Sequence, residues 1–159
     1  MSESMRVSVS REIPASAEVI FSMITLPDGH VAMDGSGSLV SAPENHQLNA
    51  VGDLFLMDMD RESLGDIPEM GKYQVENEVT AIEANRVLEW TVGVVGRPKF
   101  GHIYGIRLTP LDSSLTLVEN YMDWSGVPEK LRARVTWPIV TTDMMQESLS
   151  RLEAAILSA

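Results

Sequence analysis

Cysteine is absent from the 159 residues. That excludes a disulfide framework, a thiolate zinc site and a cysteine nucleophile. Basic residues are scarce, 12 Lys and Arg against 23 Asp and Glu, for a formal charge of −11. So acidic a chain, with no basic block, argues against nucleic acid and against stable association with anionic membranes through counterion release. No apolar run approaches the ~18 residues of a membrane helix. The opening Met1-Ser-Glu-Ser-Met-Arg6 lacks the basic-then-apolar layout of a signal peptide. A soluble cytoplasmic protein is expected. Linkers, internal repeats and low-complexity tracts are missing too, and the length predicts one domain over 1–159. Aromatics are few, three each of Phe, Trp and Tyr, whereas methionine is in surplus at ten. Methionine is the flexible filler of irregular cores and adaptable binding surfaces.

What is present has a clear order. Val7 and Val9 alternate with Ser8 and Ser10, the period of a strand. Pro14 ends it, and Ser16 is a good N-cap for a helix over Ala17–Leu26 that buries Ile20, Met23 and Ile24. Pro27-Asp28-Gly29 reads as a break, with one more helical turn at His30–Met33 before the turn Asp34-Gly-Ser-Gly-Ser38. Strand signals follow almost to residue 124. Phe55, Met57 and Met59 share a face, as do Tyr73, Val75, Asn77 and Val79, with Gln74, Glu76 and Glu78 outward. Arg86–Val94, His102–Leu108 and Leu115–Trp124 read as further strands, with Pro110–Ser114 as the hairpin turn and Val118, Asn120 and Met122 inward in the last. Pro128 is expected to open a short helix to about Arg134. Thr141 or Thr142 caps a longer one with Met145, Leu149, Leu152 and Ile156 as one apolar stripe. The fold class is α+β, a final helix covering the apolar face of an antiparallel sheet.

The order resembles the START-like helix-grip superfamily, also called SRPBCC, and within it the polyketide cyclase/dehydrase-like branch. The resemblance rests on Val9-Ser-Arg-Glu-Ile-Pro-Ala-Ser16, Asp34-Gly-Ser-Gly37, Val51-Gly-Asp-Leu-Phe55, Tyr121-Met-Asp-Trp-Ser125 and Leu149-Ser-Arg-Leu152, and covers nearly the whole chain. It implies a curved antiparallel sheet wrapped around a long C-terminal helix, two short helices after the first strand, and a ligand cavity between sheet and helix. Usual ligand pockets hold several hundred Å3. The implied function is binding of a small hydrophobic or amphipathic ligand, lipid- or polyketide-like. The alternatives are a polyketide cyclase or dehydratase and a regulatory protein-interaction domain, because the fold does not fix the chemistry.

Strand parity then names the expected cavity wall: Phe55, Met57, Met59, Tyr73, Val75, Asn77, Leu88, Trp90, His102, Tyr104, Ile106 and Met122, facing Met145 and Leu149 on the helix. On the catalytic alternative His102 is the base and Tyr104 or Asn77 the donor that polarises a carbonyl. Asp58–Glu69 places acids as a calcium loop would, but Ser63 stands where that loop needs glycine, and an acidic loop at the cavity mouth is expected instead. His30, His46 and His102 share no metal-ligand spacing, so neither metal nor cofactor is expected. Gly93–Gly101, with Arg97 and Lys99, is the compact basic spot, expected in a hairpin near the cavity entrance. A monomer or homodimer is expected.

Overall fold

A computed structural model describes residues 4–158. The opening alternation extends through β1 (Arg6–Ile13), which buries Val9 and Ile13. Ser16 then caps α1 (Ala17–Ile24), its hydroxyl accepting from the Val19 N–H, with Glu18 in the first turn where the helix dipole favours an acid. This helix stops two residues short of the expected Leu26, and Pro27 does not break the chain. Proline is harmless at a first helical position, where its missing N–H has no partner to lose, and α2 (Pro27–Met33) begins on it.

The strands follow as β2 (Leu39–Ser41), β3 (Leu54–Asp60), β4 (Lys72–Glu83), β5 (Val87–Val94), β6 (Lys99–Asp112) and β7 (Leu115–Asp123). The seven form one antiparallel sheet in the order β1-β7-β6-β5-β4-β3-β2. From β2 to β7 each strand is the neighbour of the next, whereas β1 and β2 lie at opposite edges and β7 returns beside β1 with Val9 opposite Asn120. β6 is longer than expected at both ends. Pro110 lies within it, opposite Thr116, and does not start the hairpin turn. The pairing of β5 with β6 runs only as far as Arg107, so β6 has one neighbour there and proline forfeits no ladder bond.

After β7 come α3 (Glu129–Arg132) and α4 (Thr142–Leu157). Pro128 is the residue before α3, not its first, and α3 ends short of Arg134. Thr141, not Thr142, caps α4 by accepting from the Met144 N–H. Thr141→Ala is expected to cost about 1 kcal/mol in a urea melt. Thr142→Ala, inside the first turn, should leave the midpoint almost unchanged. Met145, Leu149, Leu152 and Ile156 are all buried, which fixes the face of α4 turned to the sheet. α4 packs chiefly on α2 and β1. No described helix is long and apolar enough to cross a membrane.

Candidate functional site

Between α2, α4 and the strands β3 to β6 lies a cavity of about 190 Å3. The two-residue period of each strand decides what faces it. Phe55, Met57 and Met59 reach it from β3, and Tyr73, Val75 and Asn77 from β4. Trp90 faces it from β5, His102, Tyr104 and Ile106 from β6, and Met145 from α4. Leu88, Met122 and Leu149, expected on the same wall, do not line it. All three are fully buried in the packed core. Parity fixes a face but not a depth: α4 closes directly on β1 and β7, and α1 on β6, so no gap remains there.

Several lining residues were not expected. α2 contributes His30 and Met33, and the following turn contributes Asp34, Ser36 and Ser38. The acidic loop supplies Arg61, Leu64 and Met70, so it forms part of the wall as well as of the surface. α2 is too short at seven residues to show a helical period, and irregular loops have no parity at all. The turn itself is placed by Gly35, whose N–H donates to Ser148 Oγ of α4 at 2.8 Å. A Cβ at Gly35 would stand 2.1 Å from the Met144 carbonyl oxygen, so only glycine permits this approach.

Aromatic rings dominate one side. His30 packs edge-on to Phe55 at 5.3 Å and tilted on Trp90 at 4.6 Å, and Trp90 stacks with Tyr104 at 6.0 Å. His102 is edge-on to Tyr104 at 5.3 Å and to Trp137 at 5.1 Å. Burial holds the His30 imidazole down to about 4, opposed only in part by its hydrogen bond to the Ile24 carbonyl and by the charge of Asp34. Burial, helped by the nearby Arg61 charge, brings His102 down to about 4 as well. Both rings are therefore neutral at pH 7. Burial also pushes the Tyr104 phenol well above its ordinary value, so it stays a hydroxyl.

The two fully charged groups on the wall are already engaged. Arg61 donates to Asp66 through Nε at 2.8 Å and through Nη2, and reaches the Tyr73 hydroxyl at 3.2 Å. Asp34 accepts from the Ser36 N–H at 3.0 Å, the Ser36 hydroxyl at 2.7 Å and the Leu39 N–H at 3.0 Å. In the region that resembled a calcium loop, Asp58 accepts from Ser41 and Gln74, and Asp60 from the Glu62 N–H. The basic hairpin places Val94 and Phe100 on the cavity wall, whereas Lys99 turns outward to Glu76 at 2.7 Å.

Two polar atoms stand out. Among the described residues, the Nδ1 of His102, a residue 4% exposed, has no hydrogen-bond partner, and neither has the indole nitrogen of the half-buried Trp137. An unmade hydrogen bond of this kind costs about 1–3 kcal/mol. The size of the space also differs from expectation. At about 190 Å3 it falls below the several hundred Å3 of common ligand pockets. It is nearer the ~150 Å3 engineered cavity that takes up benzene. Half of the ten methionines, Met33, Met57, Met59, Met70 and Met145, surround it. Their side chains are the ones best able to shift around a guest.

No protein-family model matches the sequence, and no curated protein sequence is similar to it. Solved structures are similar across almost the whole chain. Protein CV1439 from Chromobacterium violaceum has a TM-score of 0.65 at 17% identity, covering 96% of both chains. Major latex-like protein 151 from Panax ginseng has a TM-score of 0.66 at 14% identity, covering 96% of this chain and 97% of its own. A point mutant of norcoclaurine synthase from Thalictrum flavum, in complex with a transition state analogue, has a TM-score of 0.62 at 12% identity, covering 96% and 94%. Likeness at such identity speaks for architecture alone, and what it establishes, with the sheet order and the buried face of α4, is that this chain has the helix-grip fold.

Proposed function

We propose that the protein binds a small, mostly apolar molecule, about one substituted ring in size, inside the helix-grip cavity. The observation that carries this reading is the cavity itself: a space of about 190 Å3 between α2, α4 and the sheet, walled by aromatic rings and five methionines with few polar groups among them. The surrounding Trp90, Tyr104 and methionine side chains supply the apolar contact, in the usual mixture of an apolar pocket with few polar groups. The volume favours one ring over fused polyketide rings or a long acyl chain.

Binding is better supported than catalysis. A general base works best with a pKa near the operating pH. His102, held at about 4, is unprotonated at pH 7 but weakly basic. Tyr104 remains a competent hydrogen-bond donor, which suits recognition as well as polarisation of a carbonyl.

Titration with p-xylene, followed by the fluorescence of Trp90 and by calorimetry, tests the reading. Saturable one-to-one binding is expected. Val92→Phe, which puts a ring into the space beside Trp90, should weaken it by about tenfold, the equivalent of 1.4 kcal/mol. Heat-free titration, or binding untouched by Val92→Phe, would remove the cavity as the site.

A further inference from the structure

The wall formed by α2 and the turn after it accepts hydrogen bonds and offers none. His30 Nε2 lies 2.7 Å from the Ile24 carbonyl oxygen. A carbonyl only accepts, so Nε2 carries the hydrogen, and in the neutral ring Nδ1 is left with a bare lone pair. The Ile24 contact is the one His30 ring hydrogen bond among the described residues. Unlike His102 Nδ1, His30 Nδ1 is not sealed off from the cavity that its ring lines. Phe55 and Trp90 hold the ring in this orientation.

Ser38 repeats the pattern by a different route. The single hydroxyl hydrogen of Ser36 goes to the Asp34 carboxylate at 2.7 Å, because a carboxylate cannot donate. The 2.7 Å contact between the Ser36 and Ser38 oxygens must then be donated by Ser38. Ser38, 3% exposed and on the cavity wall, keeps only acceptor lone pairs for a guest. Charge is meanwhile matched within the protein: Arg61 is paired with Asp66, and three donors hold the Asp34 carboxylate. An anionic guest would meet acceptors, and a cation would have to compete with donors already in place.

We infer that the cavity selects a neutral ring-sized molecule bearing a hydroxyl, a simple phenol in its chemistry, which donates to His30 Nδ1. The inference rests on the binding reading above and adds the ligand class to it. Neutral imidazole is a good acceptor, and the phenyl body would lie between the faces of Trp90 and Tyr104 and the methionines. His102 and Tyr104 remain for whatever the ring carries at its other positions.

The probes are p-cresol and p-xylene, which match in shape and differ by one hydroxyl. In wild-type protein labelled with 15N at histidine, p-cresol is expected to move the His30 Nδ1 resonance toward the hydrogen-bonded range, and p-xylene to leave it in place. By calorimetry, His30→Phe should lower the cresol-to-xylene affinity ratio by about tenfold, one good hydrogen bond. His30→Gln, which can keep both a donor for Ile24 and an acceptor for the guest, should restore part of it. Saturation by p-cresol with an unmoved Nδ1 resonance, or an unchanged ratio in His30→Phe, overturns this inference and leaves cavity binding intact. Failure of both probes to bind overturns the cavity reading and the inference with it.

Discussion

Gly105→Ala is expected to lower the unfolding free energy by roughly 2–4 kcal/mol, a loss dominated by forced overpacking. Gly105 pairs with Tyr121 of β7 on one side and Glu89 of β5 on the other. The Tyr121 ring lies across it on the outer face of the sheet, and an added Cβ would stand 2.0 Å from Tyr121 Cζ. The ring cannot swing aside cheaply. It is 1% exposed, its hydroxyl donates to Glu89 Oε1 at 2.9 Å, and the Arg6 guanidinium covers it at 4.2 Å. Moving it exposes an aromatic, breaks a charge-assisted hydrogen bond and removes a cation–π contact together. At roughly 2–4 °C per kcal/mol for a chain of this size, the melting temperature should fall by about 4–16 °C. Tyr121→Phe, which keeps the ring and loses only the hydroxyl bond, should cost about 1 kcal/mol. If urea unfolding of Gly105→Ala matched wild type to within about 0.5 kcal/mol, normal for an innocuous surface change, the tight seating of Tyr121 would be wrong.

The second large effect is acid sensitivity above the carboxylate range. His30 and His102 are each held at about 4 in the folded chain, against 6.5 when exposed. Between pH 6.5 and 4 the unfolded state therefore binds more protons, so stability rises with pH through this window. The contribution is fully present above 6.5 and is lost as pH falls toward 4, as each neutral ring is forced to charge. A depression of this size corresponds to roughly 3 kcal/mol per histidine, a large share of the ~5–15 kcal/mol that holds a typical domain. Below that window Asp58 and Asp66 add to the loss. Hydrogen bonds from Ser41 and Gln74 hold Asp58 below its ordinary value, and those from Arg61 hold Asp66 there. The urea midpoint should drop steeply between pH 7 and 4.5. His102→Phe should flatten that slope even where its stability at pH 7 is lower. A midpoint constant from pH 7 to 4.5 would show that neither imidazole is held neutral by burial.

Most of the architecture is legible in the residue order because it depends on local periods. Tyr73, Val75, Asn77 and Val79 alternate in sequence and face inward in β4, and the apolar spacing of Met145 to Ile156 is the buried stripe of α4. The errors have separate physical causes. Pro27 carries the signal of a helix break, yet the same residue suits a helix start, and only the chain around it decides between the two. Leu88, Met122 and Leu149 face inward as expected but lie where helices press on the sheet. His30, Ser38 and Arg61 reach the cavity from segments without a regular period, so no pattern announced them. Tyr121 is the reverse case, an outward residue buried by its own sheet because Gly105 leaves room.

The amino-acid sequence by itself determined the kind of the longer elements, the inward face of each long strand and the buried stripe of α4, since these follow from periods of two and 3.6 residues and from capping chemistry. The three-residue β2 and the start of α2 at Pro27 are too short or too ambiguous for those periods to fix. The acidic balance and the surplus of methionine were also fixed there. Tertiary structure alone decided how close the helices come to the sheet, and so the size of the cavity, which half of the methionines surround it, and which polar atoms are left without partners. Those properties depend on contacts between segments far apart in the chain, such as Gly35 against α4 and His30 against Trp90, which no local pattern encodes.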